Sequence, residues 1–247
     1  MKKYRSSIII SILFFAAWEG IARYIDAMYI LPSPTVIIKK IWELKDILFL
    51  VHLPATLSVT LEGLGISVVF GVLLAAAMNI SEKIQRALYP IVIVTQTVPI
   101  TALAPIFVLW FGYGIWSKVL VTILITFFPI TINVYDGLRS TRKDMEELLF
   151  TYGASKKDIF IKLKFPASLP YFFSALKIAV PLSVVGAAIS EWLGAQAGLG
   201  YFSKRMMTQL DGAGVFAPIV ILSVVALIMV KIIGILENKI VKGRNEA

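Results

Sequence analysis

The chain has 247 residues, no cysteine, one histidine and a formal net charge of +9. Only 16% of the residues are charged and the mean hydropathy is +0.85, whereas soluble globular domains contain about 25% charged residues. This composition indicates a membrane protein and excludes a disulfide framework and a thiolate metal site. The basic residues lie beside apolar runs and form no basic face with interleaved aromatic residues, so the charge does not indicate nucleic-acid binding.

Six segments are apolar and long enough to cross a bilayer, which takes about 20 residues. In chain order they are residues 8–25, 57–79, 89–111, 116–135, 174–193 and 215–236. The sequence therefore predicts an all-α membrane protein with one transmembrane domain over residues 1–247. Its parts are an anchor span at 8–25, an outer segment at 26–54 and a core at 55–240. The start MKKYRSSIIISILFF also resembles a signal peptide, but no A-x-A cleavage pattern follows, so an uncleaved anchor is predicted.

The distribution of lysine and arginine predicts the orientation of the six spans. If the N-terminus is cytoplasmic, most basic residues fall on the inner side, as the positive-inside rule requires. These inner residues are Lys2, Lys3, Arg5, Lys83, Arg86, Arg139, Arg142, Lys143, Lys156, Lys157, Lys162, Lys164, Lys239, Lys242 and Arg244. We therefore predict that both termini and the segment between spans 4 and 5 are cytoplasmic.

The outer segments are expected to lie along the membrane surface. The sequence LPSP at residues 31–34 begins an amphipathic pattern, and Thr35 is expected to cap a short helix there. His52, beside a proline in the same outer segment, is predicted to be a surface residue. Residues 194–214 are rich in glycine, which predicts an outer loop with a short helix.

The third candidate span contains two prolines in the sequence VTQTVPITALAP. Pro99 and Pro105 interrupt helical hydrogen bonding, which a membrane tolerates where neighbouring helices or a cavity satisfy the freed carbonyls. Two interpretations stay open. The break is a functional gate, or it is a kink packed against neighbouring helices with its hydroxyls bonded to their own backbone.

The segment between spans 4 and 5 is charged and contains a glycine corner. Its first helix begins with Asp144, Glu146 and Glu147, whose carboxylates suit the positive end of a helix dipole. Gly153 is expected to end this helix at the C′ position, where a positive φ is common. The pattern predicts a helix that stops at Gly153 and is followed by a sharp turn.

A second helix is predicted directly after the corner. Ser155 and Asp158 have capping-box spacing, and Pro166 and Pro170 are expected to stop the helix before span 5. A surface helix whose lysines contact anionic lipid head groups explains the basic residues equally well. The order of acidic helix, small-residue corner and basic helix favours insertion into a groove of another protein.

The run ELLFTYGASKKDIFIKLKFP resembles the cytoplasmic loop of bacterial ATP-binding-cassette importer permeases. The family pattern is E-A-A, three residues, G, nine residues and I-x-L-P. Leu148 and Leu149 depart from the two alanines, but the Glu-to-Gly and Gly-to-Pro spacings are intact. The fixed positions are occupied by Glu147, Gly153, Leu163 and the pair Phe165 and Pro166.

Two further motifs resemble one branch of that family, the permeases for nitrate, sulfonates, taurine and the thiamine-precursor pyrimidine. They are LPSP at 31–34 and ISEWLGAQAGLGYF at 189–202, and EWLGAQAGLG resembles the thiamine-precursor permeases most. The resemblance implies a permease subunit in the cell membrane that moves a small solute by alternating access. The implied partners are two ATPase subunits, an extracytoplasmic binding protein, a second copy of the chain and the lipid bilayer, with no nucleic acid.

The resemblance also implies that this chain has no catalytic site and binds no cofactor or metal. It contains no G-x-x-x-x-G-K-[ST] sequence, so ATP and Mg²⁺ are expected at the partner ATPase. The one histidine excludes an H-E-x-x-H enzyme. The alternative is an ion- or proton-coupled secondary transporter acting alone, which typically has paired broken helices. The residues implied in ATPase coupling are Glu147, Gly153, Ala154, Ser155, Asp158, Leu163 and Pro166.

Four residues are candidates for the translocation pathway or its gate. Gln96, Thr97 and Pro99 lie at the predicted break in span 3, and Glu191 ends span 5. A carboxylate within a span is costly and is usually turned to the protein interior. For Glu191, structural pairing is favoured over solute contact, and the expected partners are Lys204 or Arg205 across the dimer.

Overall fold

The computed structural model describes residues 5–241, with side chains described from Ile8 onward. Helices account for nearly all of this range, and it contains no β-strand. The basic residues Lys2, Lys3, Lys242 and Arg244, used above to orient the chain, lie outside the described residues. The helices are α1 Arg5–Ile25, α2 Pro34–Glu43, α3 Lys45–Ile80, α4 Glu82–Thr95, α5 Ile100–Phe111, α6 Ile115–Arg139, α7 Lys143–Thr151, α8 Lys156–Gly194, α9 Leu199–Thr208 and α10 Gly212–Ile240.

Within residues 5–241, five helices are long and apolar enough to cross a membrane, namely α1, α3, α6, α8 and α10. The pair α4 and α5 makes a sixth span only if both helices count as one, because their axes meet at 94°. The break that the prolines predicted within the span at 89–111 is therefore confirmed. Pro99 has no backbone N–H and disfavours a helical conformation in the residue before it, so the helix stops and restarts here.

Helices α3, α6 and α8 form the centre of the bundle, where small residues allow close contact. A Cβ atom at Gly63 of α3 would lie 2.6 Å from the Cβ of Thr122 in α6. One turn further along, the hydroxyls of Ser67 and Thr126 are 2.5 Å apart and buried. Gly65 of α3 differs, because a Cβ there would meet no atom within 4 Å. The glycines of α3 thus have different surroundings, and Gly65 makes no close helix contact within this chain.

Helix α2 is fixed between α1 and α10. Ser33, and not Thr35, is its N-cap residue, so the prediction for Thr35 is wrong. The Thr35 hydroxyl donates to the Glu19 carboxylate of α1 at 2.7 Å, which joins the two helices. Lys40 forms a 2.7 Å ion pair with Asp211, just before α10. Although burial raises the pKa of Asp211, hydrogen bonds from Lys40 and from an α10 backbone N–H hold it below its usual value.

Candidate functional site

The elbow, residues 143–164, comprises α7, the glycine corner and the beginning of α8. Helix α7 ends in a Schellman motif at Gly153, whose φ is +83°. The Gly153 N–H donates to the Phe150 carbonyl at 2.9 Å, and the Ala154 N–H donates to the Leu149 carbonyl at 3.0 Å. The predicted C′ role of Gly153 is confirmed, because an L-residue would be strained at this positive φ.

The predicted capping box at the start of α8 is also confirmed. The Ser155 hydroxyl accepts the Asp158 backbone N–H at 3.2 Å, and the Asp158 carboxylate accepts the Ser155 backbone N–H at 3.1 Å. These two hydrogen bonds satisfy donors that a helix N-terminus otherwise leaves without a partner. The corner therefore has one defined shape, set by local hydrogen bonds on both sides of Gly153.

The expectation that Pro166 and Pro170 end the second helix is wrong. Helix α8 continues through both prolines and is 39 residues long, which corresponds to about 58 Å. Residues Phe160–Lys164 form a π-helical turn, and the Phe165 N–H accordingly donates to the Phe160 carbonyl. Such local π adjustments allow prolines within membrane helices. The second arm of the elbow, from Lys156 onward, and span 5 are therefore parts of one continuous helix.

Contacts between its two arms hold the elbow in shape. Lys164 and Glu146 form a 3.0 Å ion pair with side chains only 20% and 25% exposed. The other Glu146 oxygen accepts the Thr141 hydroxyl at 3.0 Å, and Ile159 is buried. No local sequence pattern indicated the pair between Glu146 and Lys164.

The outward side of the elbow exposes large apolar side chains next to polar ones. Tyr152 is 80% exposed, and Leu148 and Met145 are exposed beside it. Apolar groups exposed in this way outside the spans are typical of a surface that binds another protein. Of the predicted coupling residues, Glu147, Gly153 and Ser155 are exposed, and Ala154, Asp158, Leu163 and Pro166 are partly buried.

The structure places Gln96, Thr97 and Pro99 together at the bend between α4 and α5, and all three are exposed. The Thr97 hydroxyl donates to the Val94 carbonyl at 2.8 Å, and Thr95 donates to Val92 at 2.6 Å. The backbone bonds of the threonine hydroxyls match the second interpretation, and the role of the break as a gate stays a prediction. The helix is broken at an exposed position, and its threonines are bonded to their own backbone.

Glu191 lies at the far end of α8 and is only 1% exposed. Its carboxylate accepts the Gly200 backbone N–H at 2.7 Å. The two cations expected as partners do not pair with it within the described chain, and Lys204 instead donates to the Trp192 carbonyl at 2.6 Å. Glu191 therefore has a backbone partner at the N-terminus of α9.

Two side chains of α3 bind the same turn. His52 is 4% exposed, so its predicted surface position is wrong, and its Nδ1 accepts the Gly198 N–H at 3.1 Å. The Thr56 hydroxyl accepts the Leu199 N–H at 2.8 Å. We call His52, Thr56 and Glu191 the outer clamp, because they accept three successive N–H groups at the start of α9 and lie at the end of α8 that the sequence predicts to be outer. Sequence reasoning missed the clamp, and its local signal is limited to two polar residues one helical turn apart.

Comparison with known proteins identifies the chain. The family described as "Binding-protein-dependent transport system inner membrane component" matches residues 67–242, which include the bend, the elbow and Glu191. The chain belongs to this family. The transport permease assignment is confirmed, and the protein is a multi-pass permease subunit of an ATP-binding-cassette importer.

Individual relatives of this permease are similar over most of their length. It is 53% identical to the formylaminopyrimidine transport permease protein ThiX of Halalkalibacterium halodurans, over 95% of this chain and 94% of the relative. It is 30% identical to the riboflavin transport system permease protein RibX of Chloroflexus aurantiacus, over 87% and 80%. It is 25% identical to the taurine transport system permease protein TauC of Escherichia coli, over 89% and 82%. Permeases of this family work with ATPase and binding-protein partners.

Proposed function

We propose that this permease imports a formylaminopyrimidine or a similar small ring compound that an extracytoplasmic binding protein delivers. The 53% identity to a formylaminopyrimidine permease supports the solute class. Transport proceeds by alternating access, with energy from ATP and Mg²⁺ bound at a partner ATPase. The observation that carries this proposal is the exposed corner at Gly153, which continues without interruption into a membrane-spanning helix.

The elbow is the docking element for the ATPase. Its exposed tip combines Tyr152 with the small residues Gly153 and Ser155, which suits a cleft lined by both apolar and polar groups. Glu147 and Ala154 flank this tip. Asp158, Leu163 and Pro166 are partly buried behind this tip, and they fix the conformation of the corner and of the first turns of α8.

Helix α8 transmits movement of the elbow to the outer side of the membrane. Its inner end is the Ser155 capping box, and its outer end carries Glu191 of the outer clamp. A continuous helix moves as a rigid element, so displacement of the corner rotates or shifts the clamp as well. ATP binding to the ATPase changes the equilibrium only if it favours one of the two positions of the elbow. Rigid movement about a central site then gives alternating access.

The bend between α4 and α5 is the proposed gate. Gln96, Thr97 and Pro99 are exposed there, and the freed backbone groups of a broken helix can line a solute cavity. The two short helices meet at 94°, so a small change in this angle opens or closes the space beside the bend.

The assembly contains two copies of the permease and two ATPase subunits. Each copy supplies one elbow, and a pair of ATPases needs two. Counting α4 and α5 as one broken span, each copy has six spans with both termini in the cytoplasm. The basic elbow then lies on the inner side, as the positive-inside rule requires.

Thiol labelling tests the orientation of the elbow. Because the chain contains no cysteine, the variant Tyr152→Cys has a single reactive thiol. We expect a membrane-impermeant reagent to label it in inside-out vesicles and not in intact cells. The control is Tyr113→Cys, since Tyr113 is an exposed tyrosine in the loop between α5 and α6 and is expected on the opposite side. Labelling of Tyr152→Cys in intact cells would contradict the docking of the elbow on a cytoplasmic ATPase.

Reconstitution tests the assembly and the solute. We expect two differently tagged copies of the permease to co-purify with the ATPase. The complex is reconstituted into proteoliposomes with its elbow in the lumen, ATP inside, and solute and binding protein outside. The control vesicles contain no ATP. Accumulation of labelled formylaminopyrimidine only with ATP supports the proposal. Uptake by the permease alone, driven by a proton or sodium gradient, would support a secondary transporter instead.

A further inference from the structure

Glu62 is an acidic residue on the exposed surface of a membrane-spanning helix. It lies in α3, where Val59, Gly63 and Ser67 face the bundle and are buried. Glu62 is exposed on the flank of the helix beside this buried face. Its neighbour Gly63 contacts Thr122, which lies about 10 Å below the outer end of α6 at 1.5 Å per residue. The carboxyl group is therefore at a depth where lipid would otherwise surround the helix.

Nothing in the described part of the chain compensates this carboxyl group. None of the ion pairs there includes Glu62. An acidic side chain facing hydrocarbon is costly, and such residues normally face a water-filled cavity or a partner group. The groups that solvate or pair with the Glu62 carboxylate must therefore belong to water or to another chain.

The cations within the spans of a second copy of the permease are poor partners for Glu62. Within the described spans, Lys118 donates to two carbonyls of its own chain, and Lys177 and Arg23 are paired with carboxylates. Lys231 lies in the last third of α10, near the inner side of the membrane and far from the depth of Glu62. A water-filled space fits better, and a transporter contains one along its solute pathway.

We infer that Glu62 lines the translocation pathway and accepts hydrogen bonds from N–H groups of the passing solute. This inference rests on the proposed function, since an aminopyrimidine carries such donors. Gly65 lies next to Glu62 on the same exposed side, and a Cβ there would meet no atom within 4 Å, so a flat ring has room to approach. An acidic group at this point favours neutral or cationic donors over anionic solutes.

Cysteine reactivity tests whether Glu62 faces water. In the assembled complex, we expect Glu62→Cys to react with a water-soluble thiol reagent about tenfold faster than Leu227→Cys, because the reactive thiolate forms only in contact with water. Leu227 is the matched control, as it is an exposed residue of the apolar helix α10. Formylaminopyrimidine should slow the reaction of Glu62→Cys. Equal, slow reaction of both variants would overturn the inference.

Transport by charge variants tests the contact with solute. We expect Glu62→Ala to lower uptake of formylaminopyrimidine about tenfold at subsaturating concentration, since a hydrogen bond to a charged group is lost. Glu62→Gln keeps one acceptor oxygen and should lose less. Glu43→Gln, on the outer helix α2, should import normally, and all variants should bind the ATPase like the unaltered permease. Normal uptake by both Glu62 variants would refute the contact.

These two measurements separate the inference from the proposed function. If the unaltered complex does not import formylaminopyrimidine, the proposed solute is wrong. The relative reactivity of Glu62→Cys and Leu227→Cys still decides whether Glu62 faces water. If import occurs and the two thiols react equally slowly, the solute assignment stands and the role of Glu62 fails.

Discussion

Gly153→Pro is expected to abolish uptake while the permease still inserts into the membrane. Gly153 has a φ of +83°, whereas proline fixes φ near −65°. Proline also removes the N–H that donates to the Phe150 carbonyl at 2.9 Å. The corner therefore changes shape, and the ATPase loses its fitted contact. The measurements are uptake by proteoliposomes and stimulation of ATP hydrolysis by the binding protein, both of which should fall to background.

Gly112→Pro is the matched control for this prediction. Gly112 has a φ of +70°, and its N–H donates to the Val108 carbonyl at 2.8 Å. Proline thus causes the same kind of local damage, but at the outer end of α5 and away from the elbow. We expect Gly112→Pro to retain binding of the ATPase. Normal uptake by Gly153→Pro, or equal loss of ATPase binding in both variants, would show that the elbow is not the coupling element.

Glu191→Ala is expected to destabilise the permease by about 3 kcal/mol and to lower uptake strongly. The substitution leaves a cavity at the end of α8 and removes the acceptor of the Gly200 N–H, which is 2.7 Å from the carboxylate. A cavity and a buried donor without a partner each cost stability. Helix α9 also loses its buried hydrogen bond to the end of α8, so movement of the elbow is transmitted to it less directly. Thermal unfolding of the purified permease and uptake by the assembled complex measure the two effects.

Two other variants show whether the outer clamp is responsible. Glu191→Gln keeps an acceptor oxygen for Gly200 and should lose only about 1 kcal/mol. Glu82→Ala removes a carboxylate that is 83% exposed, and it should unfold like the unaltered permease, because an exposed ion pair contributes little. If Glu191→Ala and Glu82→Ala unfold at the same temperature, the clamp does not hold α9.

The elbow corner at Gly153 and the outer clamp at Glu191 lie at opposite ends of α8. The prolines at 166 and 170 do not divide this helix, and this continuity gives the elbow a direct mechanical path to the outer clamp. A loop between the elbow and the span would absorb movement in its own flexible residues. The function proposed for the permease therefore depends on a helix that the sequence pattern had divided in two.

The sequence by itself determined those features that depend on residues close together in the chain. Apolar runs long enough for a bilayer indicated the spans, and a glycine with the right spacing indicated the C′ position at Gly153. The capping box of Ser155 and Asp158 was equally readable. Each of these features depends on hydrogen bonds or burial within about one helical turn, so local composition is sufficient to predict it.

Only the tertiary structure decided which distant groups meet. His52 and Glu191 converge on the turn at Gly198, although they lie on different helices, and Glu146 reaches Lys164 across the elbow. That Pro166 does not end the helix was also visible only in the structure, where a π turn at Phe160–Lys164 precedes it. These outcomes depend on the relative rotation and depth of packed helices, which close helix contacts such as that of Gly63 with Thr122 determine. Short-range sequence patterns contain no measure of that rotation or depth.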